Sequence, residues 1–208
     1  KPASAASDVY KRQGASWSHN LLFNAHKRFN VSQSGPATFP TSPLFDGKMG
    51  PQYPGVTPTM DNPQGITIEG LPGYHTQAGT WIGWTTRYWP SRRFKVEIYD
   101  TYANRNVWKT VADYKDSDYP EYGQFMVQVR DAVVNKIRYT FYTGTGSNGR
   151  LGISELFFIH PEAVRPYEGL LAANSSNGDY VSGPFITSNR SAVGLEYNLL
   201  FNAHKHYT

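Results

Sequence analysis

The chain contains no cysteine. Disulfides and thiol chemistry are therefore excluded, and any domain here must hold together through its own core. No apolar run approaches the roughly 20 residues that a membrane-spanning helix needs, so no helical span is expected. Charge is scarce: charged residues are 17% of the 208, and the net charge is only +4. The basic residues are scattered and form no stripe, which argues against a nucleic-acid partner. A sustained 3.6-residue periodicity is missing too. Aromatic residues, by contrast, reach 15%, alongside 19 Gly and 14 Pro. Many rings and many turn formers favour an all-β domain.

One word is written twice. Asn20-Leu21-Leu22-Phe23-Asn24-Ala25-His26-Lys27 returns letter for letter as Asn198-Leu199-Leu200-Phe201-Asn202-Ala203-His204-Lys205. An offset of about 178 residues is too long for a solenoid or propeller repeat, whose periods run roughly 20–50. It suits a whole domain plus a linker. The expectation is one module over 17–160, a linker over 161–194, and the first strand of a second, truncated copy over 195–208. The linker is rich in Ser, Asn, Gly and Ala, with a short helix expected at 168–173 and a stretch at 180–187 that could pair onto a neighbouring module. At the other end, Ser4 to Gln13 read SAASDVYKRQ, matching one reading frame of a transposase adapter used in sequencing-library preparation. Residues 1–13 are accordingly expected to be a foreign, unpacked scar.

Strand patterns fill the rest. Ile66 to Glu69 alternates and is expected to end at Gly70-Leu71-Pro72, because proline does not continue a central strand. Thr80 to Trp84 reads as a strand. Phe94, Val96 and Ile98 alternate with polar neighbours, and after a polar connection Val107 to Val111 returns as a hairpin partner. Phe125, Val127 and Val129 alternate, as do Ile137, Tyr139 and Phe141, and Ile153 to Ile159 is a final apolar strand. Trp108, Phe94, Ile98, Tyr139 and Phe141 are the expected core rings and aliphatics. Seven or eight short strands indicate a β-sandwich or jelly roll.

Four segments, in order, carry a resemblance. Asn20-Leu21-Leu22 through Val31-Ser32-Gln33-Ser34, then Leu44-Phe45-Asp46-Gly47, then Phe94-Lys95-Val96-Glu97 with Val107-Trp108-Lys109-Thr110-Val111, and finally Gly152-Ile153-Ser154-Glu155-Leu156 resemble the discoidin family. This is the coagulation-factor C-type, galactose-binding-like domain. The resemblance implies an eight-stranded jelly-roll β-sandwich over residues 17–160, with the repeated word as strand one. It also implies ligand binding at loops on one end of the barrel and, as in many relatives, a structural calcium. The calcium ligands carried over are Asp46 and Glu155, with the Lys48 carbonyl and the Thr57 hydroxyl. Ca²⁺ takes 6–8 oxygen ligands, so two carboxylates and a turn of carbonyls suit it. Alternatively, Asp46 caps its own turn and Glu155 pairs with Arg150 or a backbone amide.

The strongest ligand-binding candidates are Arg87, Tyr88 and Trp89, a cation between strands flanked by two rings. Rings pack against sugar CH faces and a guanidinium fork binds hydroxyls. The alternative is that Trp89 folds back as a plug over the barrel end. Asn148 and Arg150, in the loop Ser147-Asn148-Gly149-Arg150, should lie at the same end, while Tyr74-His75 and Gln77 are weaker candidates. The spaced His/Arg/Arg pattern of fucose-binding relatives is not found.

Other patterns are less informative. Asp113, Asp116, Asp118 and Glu121 spell an acidic cluster without the EF-hand glycine and terminal glutamate. The run Gly144 to Gly149 lacks the Gly-Lys-Ser/Thr of a phosphate loop. His26 and His204 read as packing or solvent-facing side chains. Asn30-Val31-Ser32, Asn174-Ser175-Ser176 and Asn189-Arg190-Ser191 are formal glycosylation sequons. No nucleophile with a base and no cofactor motif is found, so an enzyme is not expected. The expected function is a non-catalytic module of a tandem-repeat protein that binds a glycan or cell-surface polysaccharide, with neighbouring copies of itself as a second candidate partner, outside the cell, at its surface or on a virion. The alternatives are a structural part of a phage tail or other appendage, and an accessory domain of a carbohydrate-active enzyme.

Overall fold

A computed structural model describes residues 20–46, 56–76, 80–86, 89–120 and 124–159. The adapter-like segment, the linker and the second copy of the repeated word lie outside them. Eight strands form two antiparallel sheets, as the family resemblance implied. The strands are β1 (Asn30–Ser34), β2 (Gln64–His75), β3 (Trp81–Thr85), β4 (Phe94–Asp100), β5 (Val107–Asp113), β6 (Gln124–Gln128), β7 (Val133–Phe141) and β8 (Glu155–Ile159). One sheet has the order β1-β2-β7-β4-β5 and the other β6-β3-β8. This is a jelly-roll sandwich.

Alternation explains the core. Ile66 and Ile68 of β2, Val96 and Ile98 of β4, and Ile137, Tyr139 and Phe141 of β7 are buried against Ile82 and Trp84 of β3 and Leu156 and Phe158 of β8. Trp84 meets Phe94 and Phe141 edge-on, with centroids 5.2 and 5.4 Å apart, the geometry that ring quadrupoles favour. Tyr139 is buried throughout, and its hydroxyl donates to the Phe157 carbonyl at 3.1 Å. Burial pushes this phenol well above its usual range.

Three expectations need correction. First, the repeated word at 20–27 is not a strand. Asn20 makes an isolated antiparallel bridge to Ile159, and the chain then turns into a one-turn helix, α1 (Ala25–Arg28). Asn24 supplies the turn, with φ of 54°, a left-handed conformation that asparagine tolerates better than most residues. His26 lies on α1, where burial first and then the Lys27 charge hold its imidazole below the ordinary 6.5. The first strand begins only at Asn30.

Second, β2 does not stop at Pro72. Glu69 pairs with Lys136 and Tyr74 with Val134, so a bulge absorbs Gly70 to Gly73. Proline is tolerated there because a bulge makes no ladder bond, and the two glycines take φ of 92° and 80°. Third, Trp108 is not in the core. A bulge between Val96 and Glu97 resets the β4–β5 register, and Trp108 faces outward opposite Tyr99. There it lies under the Arg138 guanidinium, 4.2 Å from the ring centroid, and edge-on to Tyr99.

The three-stranded sheet departs from simple alternation. Every residue of β3 and β8 is buried, including Trp81, Phe157 and Ile159, which point away from the core between the sheets. Gln33 illustrates how a loop is tied to a strand. Its amide donates to the Phe39 carbonyl at 2.8 Å and accepts the Phe39 N–H at 2.9 Å, as a neighbouring strand would.

Candidate functional site

The antiparallel order brings the β3–β4 and β7–β8 connections to one end of the sandwich. Backbone bonds knit the two together: Thr145 N–H to the Pro90 carbonyl (3.1 Å), Gly152 N–H to the Trp89 carbonyl (2.9 Å), and Ser154 N–H to the Thr85 carbonyl (2.8 Å). Leu151 N–H reaches the Val56 carbonyl at 2.8 Å, so a third segment joins this end.

Trp89 is half-buried and sits at φ of 59°. A bulky residue in the left-handed region is a true outlier, costing roughly 1–2 kcal/mol. Gly146 lies flat against its indole: a Cβ at 146 would stand 2.6 Å from both Cγ and Cδ2 of the ring. Only glycine permits that approach. The Arg150 guanidinium stands over the same ring, 6.0 Å from its centroid. Asn148, exposed and left-handed at φ of 59°, forms the tip of the loop, and Gly149 N–H closes the turn onto the Gly146 carbonyl at 2.9 Å. Trp89, Asn148 and Arg150 are therefore brought together. Arg87 and Tyr88 lie outside the described residues.

Trp89 is neither a fully buried plug nor a free platform. The backbone of 146 occupies part of its face and Arg150 borders the rest. Sequence reasoning did not find Gly146, although the glycine-rich spelling of 144–149 was the available signal. Tyr74 and His75 belong to the end of β2, at the opposite end of the sandwich, and Gln77 lies outside the described residues.

The calcium candidates fall on adjoining elements. Asp46 caps the 3-10 turn Ser42–Phe45, which packs against β8, and β8 opens with the fully buried Glu155. Thr57 stands near Gly149, its methyl carbon 3.3 Å from where a Cβ at 149 would lie. Lys48 lies outside the described residues. This donor set is oxygen only, as a hard cation requires. Among the described residues no group of three or more His, Cys, Asp or Glu side chains could hold a metal. In the acidic run, Asp118 pairs with Arg93 at 2.9 Å and Asp113 accepts the Lys115 N–H at 3.0 Å. Glu121 lies outside the described residues.

No protein-family model matches the chain, and no curated protein matches it. Solved structures similar in fold do exist. The Clostridium perfringens module CpGH89CBM32-4, in complex with GlcNAc-alpha-1,4-galactose, has 19% identity and a TM-score of 0.48 over 68% of this chain and 93% of its own. The family 32 CBM of C. perfringens NanJ, in complex with galactose, has 17% identity and a TM-score of 0.47 over 65% and 96%. Chitosan-binding module 1 from the chitosanase/glucanase of Paenibacillus sp. IK-5 has 18% identity and a TM-score of 0.44 over 68% and 99%. The fold of this chain rests on its own strand order, that of an eight-stranded jelly roll of two antiparallel sheets.

Proposed function

We propose that this domain is a non-catalytic carbohydrate-binding module whose site is the end of the sandwich at Trp89. The observation that carries the reading is a strained tryptophan at φ of 59°, fixed by Gly146 and bordered by the Arg150 guanidinium and the exposed Asn148. Strain held by several independent contacts is a mark of a functional position. The part of the indole face that Gly146 leaves open offers a stacking surface for sugar CH groups, and a guanidinium and an amide offer donors and acceptors for hydroxyls. Arg87 and Tyr88 complete the proposed site.

A single module should bind weakly, around 10⁻⁴ to 10⁻³ M, about −4 to −5.5 kcal/mol. Tandem copies on a linker would raise retention on a multivalent surface through effective concentration. Such a protein would work outside the cell, on its surface or on a virion, attached to a longer chain. The deciding experiment is a glycan array with wild type, Trp89→Ala and Arg150→Ala. Galactose, GlcNAc-alpha-1,4-galactose and GalNAc-beta-1,3-galactose, the sugars in complexes of similar fold, are the first probes. Binding lost in Trp89→Ala supports the site. A folded wild type that binds no glycan would leave the structural-appendage reading in its place.

Calcium, held by Asp46 and Glu155 with the Lys48 carbonyl and the Thr57 hydroxyl, is part of the proposal as a structural ion. A ligand that binds only the folded state stabilises it by mass action. Calcium should raise the melting temperature and chelator lower it, and Asp46→Asn should abolish the response. Identical melting with and without calcium would remove the ion from the account.

A further inference from the structure

The word at 20–27 has a defined seat. Leu21 N–H donates to the Phe158 carbonyl at 2.8 Å, and the Asn20 side-chain carbonyl accepts N–H groups from both Phe158 and Leu22 at 3.0 Å. Asn24 N–H reaches the Phe45 carbonyl at 2.7 Å. Asn20, Leu21, Leu22, Phe23 and Ala25 are all buried. The word therefore covers the C-terminal end of the outer edge of β8, at Phe158 and Ile159, and inserts Leu22 into the core. An uncovered strand edge of this kind is a template for pairing with any matching segment.

A matching segment exists in the same chain. Residues 198–205 spell the identical word, and the likeness continues from Phe29 to Tyr207. Whatever contacts the first word makes, the second is chemically equipped to make. The bridge Asn20 to Ile159 is antiparallel, and Ile159 is the last residue of β8. A segment that follows β8 and turns back arrives in that orientation. About 38 residues, 160 to 197, separate Ile159 from Asn198, a chain length whose random-coil span is on the order of 35 Å. That suffices to return to the seat.

We propose that the β8 edge is an exchange site, and that residues 198–205 of the same chain are its second occupant. The inference does not depend on the glycan reading. The first word is joined to β1 through Arg28 and Phe29 alone, whereas the second arrives through the long tether. Loop closure therefore favours the first word by about a hundredfold. Disabling the first word reverses the preference. In a tandem array the same competition would let one module take the opening segment of the next.

The test uses the full chain with Leu22→Asp, Leu200→Asp and the double variant, each followed by thermal melting and sizing chromatography. A carboxylate forced into the place of the fully buried Leu22 disables a word that occupies the seat. Leu22→Asp alone should remain folded and monomeric. The double variant should melt about 10 °C lower or more, and Leu200→Asp alone should melt like wild type. Equal loss in Leu22→Asp and the double variant would overturn the proposal, as would a double variant that melts like wild type. Rescue seen only in dimers would overturn the same-chain occupant.

Discussion

The two ends of the sandwich solve one problem by different physics. Each holds a loop in unfavourable backbone conformations, with Trp89 and Asn148 left-handed at one end and Ala103, Asn104, Asn106 and Asp131 at the other. At the Trp89 end the fixing agents are shape and backbone: a glycine pressed on an indole and a row of N–H to carbonyl bonds. At the far end the agent is a buried charge. Asp100, fully buried, accepts the N–H groups of Tyr102 (2.9 Å) and Val133 (3.0 Å) and pairs with Arg105 at 3.3 Å. Arg105 then lies over the Tyr102 ring, 4.9 Å from its centroid, and donates to the Asp131 carbonyl at 3.3 Å. His75 meets the same ring edge-on. The contacts that hold the Trp89 loop use no titrating acceptor, whereas those at the far end use a carboxylate that acid protonates.

The largest expected effect is therefore at Asp100. Asp100→Ala leaves two part-buried N–H groups without their acceptor and removes the partner of Arg105, and should cost about 2–3 kcal/mol in urea denaturation. Burial works against the charged form of Asp100, but the N–H groups of Val133 and Tyr102, with Arg105 and Lys109, outweigh it and hold the carboxyl below its ordinary 3.8. Burial likewise opposes the Glu97 charge, and Arg138 and Lys95 hold it below 4.5. A carboxyl whose folded value is depressed contributes stability above its unfolded value and loses it as pH falls through the folded one. Stability should begin to drop below about pH 4.5 and keep dropping below 3.8, and Asp100→Asn should flatten the lower part of that slope. Hydrogen-exchange protection at Tyr102 and Val133, taken relative to the intrinsic rate at each pH, should fall in acid before protection at Gly152 does. The reverse order would erase the contrast between the two ends.

Gly146→Ala comes next. The new methyl would meet the Trp89 ring, and displacing the indole should cost roughly 1–3 kcal/mol with no dependence on pH, together with loss of any glycan bound there. The smallest effect is also the most pointed. Trp89→Gly should be more stable than Trp89→Ala by about 1 kcal/mol, because alanine retains the left-handed strain and glycine does not. Equal stability of the two would mean that the backbone at 89 relaxes once the ring is gone.

The strands of the five-stranded sheet were legible because one face is wet, so Phe94, Val96 and Ile98 announce their period. The three-stranded sheet was less so: with Trp81, Met126 and Phe157 buried on the second face, alternation carries no information. The family resemblance implies a strand at Leu21-Leu22-Phe23, yet the edge of β8 draws the segment into a bridge and turn, a tertiary preference that a resemblance of spelling does not carry. Pro72 and Trp108 were misplaced for a shared reason, since a bulge shifts register without a distinctive spelling. At the site, topology alone put Trp89 beside Asn148 and Arg150. The grip of Gly146 on the indole was invisible because it depends on a backbone-to-ring distance.

The strand order has a temporal side. Ile66 pairs with Tyr139 and Ile82 with Phe158, so β2 and β3 meet these partners only after roughly 70 further residues have been made. At synthesis rates of about 5–20 residues per second, the segment Trp81-Ile82-Gly83-Trp84 waits roughly 4–15 s beyond the ribosome without β8. Pairings this distant in sequence close slowly even in the released chain. Through that interval Trp81 and Trp84 lack their β8 partners, and the faster the synthesis the shorter the time these two rings depend on other cover.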